Sequence, residues 1–244
     1  MPNQYFQFKH FTVHQQQSAM KVTTDACLFG AWVAQDAAND KTAIKNALDI
    51  GTGTGLLSLM LSQKISEAFV DAVEIDKESY KQAKENIQHS PFSDFIHVIH
   101  RDAREIFFQR KYDVIISNPP FYEKELASGS DRKNIAHHST ELTLEELMSI
   151  IQRNLNSGGS FYLLLPYKRN GEIPQLLKSN NLAVEKMVNV RQSYNHDYFR
   201  IMLRGTFFKS EKQKTETSEI SIWNEEQQYT EEFKTLLKDY YLHL

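Results

Sequence analysis

The segment Asn118-Pro119-Pro120-Phe121 sets two fixed hydrogen-bond acceptors beside an aromatic ring. Consecutive prolines hold the backbone and donate no hydrogen bond, which leaves the Pro119 carbonyl and the Asn118 side-chain oxygen to be aimed outward. An amide or base amino group brings two N–H donors and a lone pair delocalised into its planar neighbour. Accepting from both hydrogens holds that nitrogen, helps it become tetrahedral and frees its lone pair to attack an electrophile in line. Phe121 stacks on the planar group, and Tyr122 reads as pocket wall. No strong general base is needed, because the proton turns acidic only once the nitrogen is alkylated; positioning and electrostatics carry the step.

The electrophile is indicated by the run Asp49-Ile50-Gly51-Thr52-Gly53-Thr54-Gly55. Glycine has no side chain to obstruct a ligand, so a strand, a glycine turn and a helix let the backbone come close to a nucleotide. A dinucleotide fingerprint would carry glycine where Leu56 stands. Glycine at 55 instead, with Asp49 two positions ahead of Gly51, favours S-adenosylmethionine, whose sulfonium methyl is the electrophile the clamp requires. Asp49 is expected near the methionine ammonium. Val73-Glu74-Ile75-Asp76 ends the next strand with carboxylates able to accept from both ribose hydroxyls; Glu74 is the first choice and Asp76 the second. Arg101-Asp102-Ala103 follows a third strand. There Asp102 accepts from the adenine amino group and the Ala103 N–H donates to the ring, unless Asp102 serves to cap a helix from Ala103.

Positioning these groups takes strands alternating with helices, and from Ala47 the chain has that character. The fold class expected is α/β: a doubly wound, Rossmann-like sheet, mostly parallel with an antiparallel terminal strand. Strands are expected at 47–50, 69–75, 96–99, 112–117 and 160–165, with helices from near Gly55, near Lys77 and at Thr143. Thr143 and Glu146 form a capping box ahead of the apolar stripe Leu144, Leu147, Met148, Ile151 and Leu155. Two long strands, 183–190 and 198–208, follow a helix ending at Asn180-Asn181. Before this core, Tyr5 to Lys9 alternates like a strand, and Asp25 is placed to cap a helix through Leu28, Phe29, Trp32 and Val33. Ser210 to Glu219 reads as a surface linker or hairpin tip. A last helix, capped by Thr230, docks through Phe233, Leu236, Leu237, Tyr240 and Tyr241. The organisation expected is one domain over 1–244, with an N-terminal lid segment (1–46), a catalytic core (47–209) and a docked C-terminal hairpin and helix (210–244).

Composition narrows the partners. A net charge of −3 argues against a protein that coats nucleic acid by bulk positive charge, so any nucleic-acid contact must be local. Lys168, Arg169, Arg191 and Arg200 follow the ends of late strands and are the phosphate-contact candidates on the clamp's face. The apolar runs are far shorter than a membrane span, Met1-Pro2-Asn3-Gln4 has no basic segment leading into an apolar stretch so that no cleaved secretion signal is expected, and the single Cys27 reads as a buried apolar residue. A cytosolic protein is expected. His10, His14, His137 and His138 lack the cysteine or carboxylate partners of a metal site, so no metal is expected. The polar stretch Glu123 to Thr140 is long enough to be functional and is expected to close on substrate.

On these motifs the chain resembles the bacterial methyltransferases that modify N6 of adenosine 37 in the anticodon loop of valine tRNA. The matching segments span nearly the whole chain: Phe8-Lys9-His10-Phe11, His14 and Gln15, Met20 to Asp25, Gly30-Ala31-Trp32, Asp49 to Gly55, Glu74-Ile75-Asp76, Asn118 to Phe121, Tyr229-Thr230 and Lys238 to Leu242. The resemblance implies S-adenosylmethionine as cofactor, tRNA as partner, Lys21 to Asp25 as a lid on the cofactor and Asn118 as the catalytic residue. Enzymes that methylate glutamine in release factors share the core but carry a helical domain ahead of the glycine motif. Guanine-N2 methylation of ribosomal RNA uses the same clamp and stays open, as does the glutamine reaction.

Overall fold

The computed structural model describes residues 3–18, 20–40, 43–106, 108–119, 142–210 and 214–244. The N-terminal segment forms a hairpin, β1 (Tyr5–Gln7) with β2 (Thr12–His14), and leads into helix α1 (Thr24–Asn39). Alternation then begins: β3 (Asn46–Ile50), α2 (Leu56–Lys64), β4 (Phe69–Glu74), α3 (Lys77–Gln88), β5 (Ile96–His100) and β6 (Tyr112–Ser117). Helix α4 (Leu144–Asn154) runs into β7 (Leu155–Pro166), a short 3₁₀ turn (Tyr167–Arg169) and α5 (Ile173–Ser179). Strands β8 (Leu182–Ser193), β9 (Tyr198–Phe207) and β10 (Glu216–Trp223) and helix α6 (Glu231–Leu237) complete it.

Eight strands form one sheet in the order β10-β8-β9-β7-β6-β3-β4-β5. Strand β9 is antiparallel to both neighbours, and the other pairings are parallel. The chain leaves β3 toward β4 and β5 and then returns to β6 on the other side. Order therefore reverses between β3 and β6, where sheets of this kind open a crevice at the carboxyl ends of their strands. Side chains alternate between two buried layers, as the strand period of two requires. Ala47, Val114, Ile116 and Tyr162 pack with α1, α2 and α6; Leu48, Ile50, Ile115 and Leu163 pack with α4 and α5. Asp49 shares the Ala47 parity, which puts its carboxylate under α2.

The expected α/β sheet is the observed one, with three local corrections. Thr23, not Asp25, holds the cap position of α1 and makes no side-chain capping bond; Asp25 lies in the first turn, drawn to Arg200. Strand β7 begins at Leu155, ahead of the expected 160. The expected linker at 210–219 is strand from Glu216, where β10 adds a parallel edge beside β8 with Ile220 opposite Val190. An edge strand exposed on both faces needs no apolar residues at its start, so its polar sequence hid it.

The C-terminal residues close the molecule onto its N-terminal segment. Phe233, Leu237 and Tyr240 are buried, and Tyr240 Oη donates to the Met60 carbonyl at 3.0 Å. The Lys9 N–H donates to the Tyr240 carbonyl at 2.8 Å, and Phe8 bridges Tyr241. Among the described residues no helix is long and apolar enough to cross a membrane.

Candidate active site

The glycine loop is a folded cradle. Gly51, Gly53 and Gly55 have φ of 73°, 59° and 82°, a left-handed backbone that favours glycine. The N–H groups of Gly51 and Thr52 donate to the Val73 carbonyl at 2.9 and 3.0 Å, which pins the loop over β4. A Cβ placed on Gly51 or Gly53 would meet no atom within 4 Å, so the loop borders open space. Glu74 stands at the end of β4 and accepts from the Gly53 N–H and the Asp76 N–H, both at 2.8 Å. Burial raises its carboxyl above the ordinary range, against the lowering effect of those two bonds. Asp76 is used otherwise: its Oδ1 accepts from the Ser79 N–H at 2.8 Å and caps α3.

Asp49 is wholly buried. Its Oδ2 accepts from the hydroxyls of Thr52 at 2.6 Å and Ser58 at 2.7 Å, while Oδ1 has no partner. Burial pushes the carboxyl up to about 6, the two hydroxyls hold it down, and the Glu74 charge adds to the rise. A buried anionic oxygen without a donor costs free energy until a cation or donor arrives. That orphan, with the open space beside Gly51 and Gly53, fits a ligand carrying an ammonium group and a nucleoside.

The substrate side adjoins this cradle. Ile50 pairs with Ser117, and Ser117 Oγ donates to the Ile50 carbonyl at 2.7 Å, so the last residues of β3 and β6 are tied side by side. The next residue on one strand is Gly51 and on the other Asn118, which is half-buried, followed by buried Pro119. Phe121 lies outside the described residues, as does the segment 120–141 with its His137 and His138.

The remaining expected residues fall in three places. Asp102 follows β5, and the Arg104 side chain grips both of its oxygens while the Arg104 N–H donates to Oδ1 at 2.8 Å. Burial alone would raise that carboxyl; the Arg104 bonds and charge hold it below the ordinary range. Ala103 is buried beside it, in a turn rather than a helix. Lys21 donates to the Gln15 carbonyl, and the Val22 N–H donates to Gln15 Oε1 at 2.7 Å, fastening this stretch to the N-terminal hairpin. Asp25 accepts from Arg200 Nε at 2.8 Å. Of the expected phosphate contacts, Arg169 pairs with Glu172 at 3.1 Å, Arg191 with Glu219 at 2.7 Å and Arg200 with Asp25. Lys168 sits with Arg169 in the 3₁₀ turn after β7.

Asn86 escaped sequence reasoning. It is 1% exposed on α3, and its Nδ2 donates to the carbonyls of Thr54 and His14, both at 2.8 Å. Its Oδ1 accepts from the His14 N–H at 2.9 Å. One side chain thus joins the glycine cradle to the N-terminal hairpin. The available signal was a polar residue beside Ala83 and Ile87 on the apolar stripe of α3.

A model of the methyltransferase small domain family matches residues 35–195. A Dyadobacter fermentans protein named tRNA1(Val) (adenine(37)-N6)-methyltransferase is 39% identical over 243 residues, 98% of each chain. A protein of the same name from Christiangramia forsetii is 36% identical over 248 residues, 100% of each. Among solved structures, a predicted O-methyltransferase from Agrobacterium tumefaciens superposes with a TM-score of 0.65 at 16% identity, over 88% of this chain and 96% of that one, a likeness of fold.

Proposed function

This chain belongs to the tRNA1(Val) (adenine(37)-N6)-methyltransferase family, and from that membership we propose that it transfers a methyl group from S-adenosylmethionine to the exocyclic N6 of an adenine in tRNA, adenosine 37 of tRNA(Val). The observation that carries the proposal is the pairing of Ile50 with Ser117, which sets the glycine cradle and the Asn118-Pro119 acceptors at neighbouring strand ends.

S-adenosylmethionine supplies an electrophilic methyl on a sulfonium. Asp49 offers its unpartnered oxygen to the methionine ammonium, Glu74 its remaining lone pairs to the ribose, and Asp102 and Ala103 flank the adenine. Lys21 and Asp25 belong to the stretch that covers the cofactor. The Asn118 side-chain oxygen and the Pro119 carbonyl accept from the two N6 hydrogens, Phe121 stacks on the base, and the N6 lone pair is freed for in-line attack. The new N–C bond would form as the S–C bond breaks to leave the neutral thioether S-adenosylhomocysteine, and the alkylated nitrogen would then release one proton to solvent, so no base of shifted pKa is required. The target base must leave its stack to reach the clamp, as a loop nucleotide can do at modest cost. A cytoplasmic site of action follows from a tRNA substrate.

The test is incubation with labelled S-adenosylmethionine and tRNA from a strain lacking the enzyme, followed by nucleoside analysis. N6-methyladenosine in valine tRNA is expected. Label in a release factor, or in N2-methylguanosine of ribosomal RNA, would move the substrate and leave the cradle and clamp standing.

A further inference from the structure

Strand β7 outlasts β6: Ser117 pairs with Leu163, whereas β7 continues to Pro166, opposite Arg200 of β9. The end of β7 and the turn between β8 and β9 therefore rise above the crevice on its β7 side. Aromatic rings gather there. Tyr167 and Tyr198 lie with ring centroids 5.1 Å apart, and the Arg191 guanidinium sits 5.2 Å from the Tyr194 ring centre and 5.5 Å from that of Tyr198. Tyr194 is 47% exposed in a turn closed by the His196 N–H to the Ser193 carbonyl at 3.0 Å. Strand rise and spacing put Tyr198, two strands over from Asn118 and about four residues further along, about 16 Å from it, with Arg191 about 20 Å away and Tyr194 beyond that.

The planes are held in advance. Arg191 Nε donates to Ser221 Oγ at 2.8 Å, its Nη2 donates to Glu219 at 2.7 Å, and the Tyr198 hydroxyl donates to Glu219. A guanidinium already paired with a carboxylate is poorly placed to seize a phosphate. It sits instead against the Tyr194 and Tyr198 rings, of which Tyr194 stays exposed for stacking, and every nucleobase has a π face to offer. We propose that Tyr194, Tyr198, Tyr167 and Arg191 form a stacking platform for an unpaired base of the RNA loop whose adenine enters the Asn118 clamp. This rests on the tRNA reading above and changes the role expected of Arg191 from charge to plane.

The test is fluorescence anisotropy with a labelled anticodon stem-loop of valine tRNA, on the full chain and its Tyr194→Ala and Tyr194→Phe variants. Tyr194→Ala should bind about ten-fold more weakly and Tyr194→Phe within about two-fold of the parent, with S-adenosylmethionine affinity unchanged in both. Tyr194 is exposed in a turn, and unchanged cofactor affinity reports intact folding. Binding of the alanine variant equal to the parent, equal loss in both variants, or no binding of the RNA by the parent overturns the platform. Methyl transfer to the same RNA is read separately. A parent protein that binds through Tyr194 and methylates no adenine keeps the platform and refutes the substrate.

Discussion

Replacing Asp49 by Asn should make the ligand-free protein more stable and the cofactor bind more weakly. Burial and the Glu74 charge lift the Asp49 carboxyl from 3.8 to about 6. The folded state therefore binds the proton more tightly than the unfolded chain. Above about pH 6 the ionised group costs about 3 kcal/mol, a penalty that is absent near pH 4 and grows as pH rises between the two values. Asn removes the charge, and Thr52 and Ser58 can still donate to its oxygen. Its N–H groups take the place of the unpartnered Oδ1, and as buried donors they offset about 1 to 2 kcal/mol, leaving a net gain of about 1 to 2 kcal/mol at about pH 8. The same change removes a charged acceptor from the methionine ammonium, worth about 1.5 to 3 kcal/mol, or about ten- to a hundred-fold in affinity. Urea unfolding of parent and variant from about pH 4 to about pH 8 gives the stability difference, and calorimetric titration with S-adenosylmethionine gives the affinity. A variant less stable at the upper pH, with a difference that does not change across the range, would refute the reasoning.

Asn118→Ala should lower turnover by about a hundred-fold or more with cofactor affinity within about two-fold of the parent, as measured by single-turnover methylation and titration. Gly53→Val should lose cofactor binding itself, because a β-branched residue resists a φ of 59° and its side chain enters the open space beside the loop; equal loss of binding in both variants would sink this division of roles. Asn86→Ala strands the Thr54 carbonyl and the His14 N–H, so a loss of about 2 to 4 kcal/mol in urea unfolding is expected, with a raised KM for S-adenosylmethionine. Arg204 pairs with Asp36 and Asp40, each at 2.8 Å, at the far end of α1. Arg204→Met should cost about 1 to 3 kcal/mol of stability and leave cofactor affinity unchanged; a weakened affinity would mean that this network reaches the site.

What could be read from the chain depended on how local its cause was. The glycine loop was legible because a left-handed backbone at 51, 53 and 55 is a demand on each residue alone. The sheet was legible from short β-branched apolar runs such as Val114-Ile115-Ile116, which carry no alternation because both faces are buried but are too short for a core helix. The different partners of Glu74 and Asp76 took coordinates to see, since the Ser79 N–H that Asp76 accepts becomes visible only when α3 starts. The arginines were harder. Arg191 meets Glu219 across 28 positions and Arg200 meets Asp25 across 175, and no spacing rule links residues so far apart. Strand β10 was missed because an edge begins in water on both sides, and Asn86 because its partners are backbone groups of two distant segments.

The hydrogen bond from Lys9 to the Tyr240 carbonyl, with Phe8 bridging Tyr241, bears on how the protein is made. Synthesis runs from the N-terminus, so the first hairpin emerges from the ribosome long before its partner exists. Until Tyr241 has been translated, Phe8 has no strand to bridge and the apolar side of α1 and α2 lacks Phe233, Leu237 and Tyr240. A chain interrupted in its last dozen residues keeps every residue of the cradle and clamp and still exposes an apolar face to proteases and chaperones. The hairpin that Asn86 ties to the glycine loop is in turn buttressed by the end of the chain through Phe8 and Lys9, so a product cut short there lacks one of the two supports of that hairpin.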